Sequence, residues 1–267
     1  MAWPTIGLAL GSGGAKGFAH IGVLRALEEN GIPVGVLAGT SMGALVAALY
    51  ATGISPHMME GLAAQLRRRY WLDFTVPKMG LIGGTKVHHL MSLLTHFADF
   101  SQTRIPLAIV ATDLTQKRLV TFTSGLVADA VRASISIPGV FVPFIHQGGV
   151  YVDGGVLERV PVAAARRLGG QVILGVDVAA TPRNAAPETI VDVIVQSLDM
   201  MQRPLAEVGA DAADVWIKPE VGDIGTSHFE RVREAAQMGY QATVEQLEQI
   251  RVLLGKQTGD SGALHQG

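Results

Sequence analysis

Residues 39–43, Gly-Thr-Ser-Met-Gly, follow the apolar run VGVLA (34–38) and lead into ALVAALYATG, a mostly apolar stretch ending at Gly53. A serine at the tip of a sharp strand-to-helix turn has a strained backbone, and its neighbours must be small where strand and helix nearly touch. Gly39 and Gly43 meet that need. Ser41 would also stand at a helix N-terminus, whose positive end favours an alkoxide and an oxyanion. Ser41 is thus a candidate nucleophile, and the chemistry then requires a group to take its proton.

A second glycine-rich stretch, Gly11-Ser-Gly13-Gly14-Ala-Lys16-Gly17, follows the apolar run TIGLAL (5–10). One reading is a phosphate loop, because glycine amides at a helix N-terminus bind anions. The dinucleotide fingerprint needs glycine where Lys16 stands and an acidic residue near positions 31–35, where there is none. The Walker ending G-K-[ST] is also missing. Two readings remain beside it: a plain tight turn, and an oxyanion hole in which the Gly13 and Gly14 amides face the charge formed when Ser41 attacks a carbonyl.

In a serine triad a histidine takes the proton and an acid orients it. Of the eight histidines, α/β-hydrolase chain order favours one near the C-terminus, which leaves His228 in GTSHFE and His265 in the final residues. A carboxylate also serves as base when it is within reach and dry enough for its proton affinity to rise. Asp153, ending the apolar run VYVDGG with Gly154 and Gly155 behind it, is the better candidate. Asp113 in IVATDL is its rival, read more simply as the cap of a turn.

These residues need elements to position them. TIGLAL, a glycine turn, and a helix with Phe18, Ile21, Leu24 and Leu27 at helical spacing form one strand-turn-helix unit; VGVLA, GTSMG and ALVAALYATG form a second. Two such units argue for a parallel sheet covered on both faces. Residues 54–104 read as a helical insertion, containing a basic aromatic run (67–71), glycines 80, 83 and 84, and the amphipathic TKVHHLMSLL. Strands are expected at 106–114, 118–122, 150–155 and 171–178, with helices near 125–134 and at 160–169. A loop at 181–188, a helix over 188–206, an edge strand at 214–220 and one closing helix over 229–256 complete the reading. The expected organisation is one unit over 1–256, with a core at about 5–180, an insertion at about 54–104, an extension at 188–256 and a disordered tail at 257–267.

Composition bounds the classes. The chain has 267 residues, 48% hydrophobic and 16% charged, enough for a large core. A net charge of −2 gives no reason to expect a nucleic-acid partner. With no cysteine, thiolate nucleophiles, disulfides and cysteine metal sites are impossible, which fits the cytoplasm. The first residues lack the pattern of a signal peptide, and no run approaches the ~20 apolar residues of a spanning helix. Membrane contact is therefore expected to be peripheral, at the inner face, through residues 67–82, with Trp71, Phe74, Met79, Leu81 and Ile82 as an apolar rim beside the arginines.

GSGGAKG before a helix, GTSMG downstream, ASISIPGVFVP at 133–143 and DGG at 153–155, in that order, resemble the patatin-like phospholipase family, in particular its compact bacterial members. The resemblance covers roughly residues 5–180, and less specifically AAQMGYQA near the end. It implies a three-layer α/β/α fold with a mostly parallel sheet and a Ser-Asp dyad without histidine. Ser41 matches the family nucleophile, Asp153 its base, and Gly13 and Gly14 its oxyanion loop. Gly11, Lys16, Gly17, Gly39, Gly43, Gly154 and Gly155 match the supporting motifs. Ser12 replaces a common glycine, and Glu158-Arg159 stands where asparagine-proline is usual. The expected activity is hydrolysis of lipid carboxylic esters with no metal or cofactor. The alternatives are a Ser-His-Asp esterase using His228 and a regulatory or adaptor protein on the same fold. Oligomeric state, head group and acyl position are left open.

Overall fold

A computed structural model describes residues 4–76, 78–178, 187 and 190–260. Ten strands are found among them: β1 (Ile6–Leu10), β2 (Val36–Thr40), β3 (Gly80–Ile82), β4 (Leu107–Asp113), β5 (Arg118–Phe122), β6 (Gly139–Phe141), β7 (Phe144–His146), β8 (Gly149–Asp153), β9 (Val172–Val176) and β10 (Val215–Ile217). The α-helices are α1 (Ala19–Glu29), α2 (Met42–Ala51), α3 (Pro56–Gln65), α4 (Thr85–Leu94), α5 (Val127–Ser134), α6 (Val162–Arg167), α7 (Ile190–Ala212), α8 (Val232–Val244) and α9 (Leu247–Asp260).

The central strands run β10-β9-β1-β2-β4, all parallel, and every residue of β1, β2, β4 and β9 is buried. Their near-continuous apolar sequences follow from cover on both faces. The two faces differ in size. Leu8, Leu10, Leu37, Leu107 and Ile109 pack into a large core with α1, α2, α5 and α8. Ala9, Ala38 and Ala108 alternate with them and let α6 approach closely through Val162, Ala164 and Ala165. The result is the expected three-layer α/β/α sandwich.

The register on β4 positions the site. Leu107–Val110 pairs with β2, Ala111–Asp113 pairs with β8, and Ile109–Asp113 pairs with β5. A strand has only two edges, so β5 takes one and β2 and β8 share the other. β2 runs parallel to β4 and β8 antiparallel, so their C-terminal ends meet head to head. Thr40 partners Val110, and Asp153 partners the next residue, Ala111.

Several local expectations are corrected. The insertion is not purely helical, since β3 pairs in parallel with β6 in a separate two-stranded sheet. β7 and β8 form a hairpin through Gln147 and Gly148, both at positive φ, a turn that matches strand twist. The closing helix over 229–256 is a 3₁₀ turn, Phe229–Arg231, followed by α8 and α9. The helix expected over 188–206 is α7 and extends to Ala212. α9 continues to Asp260, past the expected start of the tail at 257. The remainder of that tail, 261–267, and all of the expected 181–188 loop except residue 187 lie outside the described residues, as do residues 188 and 189 of the expected helix.

Candidate active site

The turn between β2 and α2 holds Ser41 at φ 55°, ψ −121°, a region costly for any residue with a side chain. Close packing makes the flanking glycines necessary. A Cβ on Gly39 would lie 2.5 Å from Ala44 Cα, and one on Gly43 would lie 2.1 Å from the Leu10 carbonyl oxygen. The Ser41 amide, left outside the helix ladder, donates to Ser134 Oγ at 2.8 Å. That hydroxyl donates in turn to the Val110 carbonyl at 2.6 Å. Ser134 therefore ties the strained turn to the β4 residue that pairs with Thr40.

Asp153 reaches the same place from β8. Its amide donates to the Ser136 carbonyl at 2.9 Å, and its Oδ1 accepts the Gly155 amide at 2.8 Å. Gly154 packs so closely on β4 that a Cβ would stand 2.3 Å from the Val110 carbonyl oxygen. The Ser41 side chain lies beside the Asp153 carboxylate and favours its charged form. Only 5% exposed, that carboxylate has its pKa raised from 3.8 to about 6. Burial is the cause; the Ser41 side chain, the Gly155 amide and the charge of Arg159 oppose it without prevailing. Above about pH 6 the group is ionised.

The glycine loop leaves the end of β1 beside this pair. The Gly11 amide donates to the Val176 carbonyl, the Ser12 amide to the Arg159 carbonyl, and the Ala15 amide to the Thr226 carbonyl. The Gly11 carbonyl accepts Nε2 of His20 at 2.8 Å. Burial lowers the His20 pKa to about 4, so the ring is neutral and carries its proton on the nitrogen facing that carbonyl. Gly14 has φ +56°, which glycine adopts readily, and packs against the Thr226 carbonyl oxygen. Gly17 lies against Met42.

A buried polar cluster backs the loop. Arg159, 1% exposed, donates to Asp177 at 3.0 Å, to Asp199 of α7 at 3.1 Å and to Gln202 of α7 at 3.2 Å. Lys16 is buried beside them; desolvation lowers its pKa, while Asp199 and Asp177 support its charge. In the sequence Arg159 is only a departure from a motif, whereas here its side chain joins α7 to Asp177 and its carbonyl holds Ser12 of the loop.

Gly14 and Ser41 share the wall of a cavity of about 190 Å³ that runs among α2, α3 and α4. Met42, Leu45, Leu49, Met59, Met91 and Phe229 are among its lining, and among the described residues no charged side chain lines it. Phe229 closes it by packing on Trp71 at 4.8 Å and Phe18 at 5.9 Å between ring centroids. Ile135 and Ile137 line it too, alternating with Ser134 and Ser136, which hold the two members of the pair.

Other expected residues fall elsewhere. Asp113 caps the β4–β5 turn, accepting the Thr115 and Gln116 amides. His228 is exposed, and its Nδ1 accepts the Gly225 amide. Of the five residues of the expected apolar rim, Phe74 and Met79 are exposed, Trp71 and Leu81 are partly covered, and Ile82 is core. Among the described residues no group of three or more acidic or histidine side chains is arranged to hold a metal ion.

The sequence model described as patatin-like phospholipase matches residues 8–166. Lysophospholipase NTE1 of Pyricularia oryzae is 29% identical over 97% of this chain, which spans 19% of that protein. An NTE family protein of Mycobacterium tuberculosis is 34% identical over 75% of this chain and 56% of its own length. The chain thus covers only a fraction of the length of these relatives. The crystal structure of VipD from Legionella pneumophila shares the fold, with a TM-score of 0.67 at 15% identity over 92% of this chain and 67% of that one. With well over half its length matched in sequence, and with that fold, this chain belongs to the patatin-like phospholipase family.

Proposed function

We propose that this chain is a serine acyl hydrolase that cleaves carboxylic esters of lipids, of phospholipase A, lysophospholipase or esterase type. The observation that carries the reading is the juxtaposition of Ser41, on its strained turn and in the wall of an apolar cavity, with the buried carboxylate of Asp153. An acyl chain fits such a cavity, since each buried methylene contributes about 0.8 kcal/mol. The name lysophospholipase, carried by the relatives in fungal-type chains such as that of Pyricularia oryzae, agrees with a single-chain lipid substrate.

In the reaction, Asp153 takes the Ser41 proton as Oγ attacks the ester carbonyl. The Gly13 and Gly14 amides, which donate to no described acceptor, stabilise the oxyanion. Collapse passes the proton from Asp153 to the leaving alkoxide and leaves the acyl group on Ser41. Water then gives a proton to Asp153 and attacks the acyl-enzyme, and the second collapse returns that proton to Ser41.

Labelling with a fluorophosphonate, with the adduct located by peptide mass, tests the reading. The expected result is labelling at Ser41 that collapses in Asp153→Asn and persists in His228→Ala. Labelling that survives Asp153→Asn assigns the activation to another group. Labelling that depends on His228 restores the histidine esterase, and an intact pair that turns over no ester favours the regulatory reading.

A further inference from the structure

Three exposed apolar residues of the insertion, Met58, Leu62 and Leu66, recur at intervals of four along α3 and its C-cap. They form a stripe on the outer face of a helix, and such a stripe marks a surface built for contact. Leu62 and Leu66 also line the cavity that contains Ser41, so the stripe and the cavity mouth are continuous. Beyond them the chain makes an excursion closed by a bridge between Phe74 and Ile82 and by the Thr75 amide on the Leu81 carbonyl. Its outer residues are the most exposed large apolar side chains described: Phe74 at 79% and Val76 at 80%, with Met79 close behind them in sequence.

The charge around this face is one-sided. Residues 66–86 carry Arg67, Arg68, Arg69, Lys78 and Lys86 against the single acid Asp73, a net of +4 in a chain of net −2. Both Asp73 oxygens are occupied, accepting the Gly84 and Thr85 amides at the start of α4. Lys86 reaches back to the Arg69 carbonyl, and the Arg69 guanidinium covers the Tyr70 ring, which gathers cations and an aromatic side chain at one edge.

We propose that the stripe on α3 and the Phe74–Met79 tip dock this chain on an anionic lipid bilayer, with the cavity mouth facing the acyl layer. The inference rests on the acyl-hydrolase reading and adds where the substrate comes from. The tip enters the headgroup region, the cations meet anionic lipid, and an acyl chain passes Leu62 and Leu66 into the cavity without crossing water. No helix among the described residues is long and apolar enough to cross a membrane.

Sedimentation with vesicles of phosphatidylcholine, with and without phosphatidylserine, tests this in the full chain carrying Ser41→Ala, which leaves the lipid intact. Binding to the anionic vesicles is expected, falling at least about tenfold in Phe74→Ser/Val76→Ser. Arg67→Glu/Arg69→Glu is expected to lose the anionic preference, at about fivefold per charge removed. With Ser41 restored, the tip variant should keep hydrolysis of a soluble short-chain ester and lose hydrolysis in vesicles. Equal vesicle binding by parent and tip variant overturns the proposal. Lipid-independent dimerisation lost in the tip variant also overturns it and makes a second copy the occupant. Absence of soluble-ester hydrolysis with vesicle binding intact overturns the hydrolase reading instead.

Discussion

Asp153→Asn should make the protein more stable while removing its activity. The carboxyl pKa rises from 3.8 to about 6 on folding, so between those values the native state binds more protons than the unfolded chain. Stability from this group is therefore greatest in acid, falls as pH rises through the window, and is level above about pH 7. A shift of about 2 units corresponds to about 3 kcal/mol, the cost of holding a charge at a site 5% exposed. Asparagine has the same shape and no charge. Its oxygen keeps the Gly155 amide, and its NH₂ can donate to Ser41 Oγ, so the contacts survive in altered polarity.

Buried His20 contributes with the opposite sign: its pKa falls to about 4, so stability from it is lost as pH drops from about 6.5 to 4. The two largely cancel in the parent, and the readout must be the difference between variant and parent. Urea denaturation from pH 4 to 8 should show the difference in favour of Asp153→Asn growing from about 0.6 kcal/mol at pH 4 to about 3 kcal/mol at pH 8. In melting temperature that is about 5–10 °C for a chain of this size. Ester hydrolysis should fall by about 10³-fold, and kcat/KM of the parent should decline in acid with an apparent pKa near 6. A constant stability difference across pH, or a less stable variant at pH 8, refutes the argument that Asp153 is held ionised against its burial.

Ser134→Ala strands the Ser41 amide and the Val110 carbonyl, and should cost about 2–4 kcal/mol in urea denaturation. It should also lower kcat at least about tenfold with KM unchanged, and Ser134→Thr, which retains a hydroxyl, should recover part of kcat. His228→Ala should leave kcat/KM within about twofold, because the ring is exposed and its bond to the Gly225 amide is local. Met91→Trp narrows the cavity; if it excludes two methylenes, long-chain esters should lose about 1.6 kcal/mol, or about fifteenfold in kcat/KM, relative to short-chain ones.

The parts of this site that the sequence displays are those in which cause and effect are neighbours. Gly39 and Gly43 are required by contacts within the turn and with the adjoining loop, so spacing alone points to Ser41. Ser134 lies inside the ASISIPGVFVP stretch, yet its partner is 93 residues away, and no local pattern reports such a bond. The same limit explains the apolar rim. Residue type identified Trp71 as interface-loving, but Phe229, far along the chain, covers part of it. β3 and β6 are three residues each and exist through mutual pairing, which leaves no alternation long enough to read. α8 and α9 are separated without a glycine or proline, so their joint sequence reads as one helix.

The pairing of Ser41 with Asp153 is a property of β4 more than of either motif. Because β2 and β8 share one edge of that strand from opposite directions, their last residues sit on consecutive partners, Val110 and Ala111. The chain leaving β2 and the chain leaving β8 are thereby brought together at one point of the sheet. The Val110 carbonyl is the common anchor, bonded to Ser134 on the serine side and packed against Gly154 on the aspartate side. If Asp153 is the base, as proposed, no third residue is needed to orient it, since Ser136, Gly155 and the strand pairing fix its backbone and carboxylate directly. A histidine in a triad is aimed by a separate acid; here the hydrogen bonds of the sheet aim the acid itself.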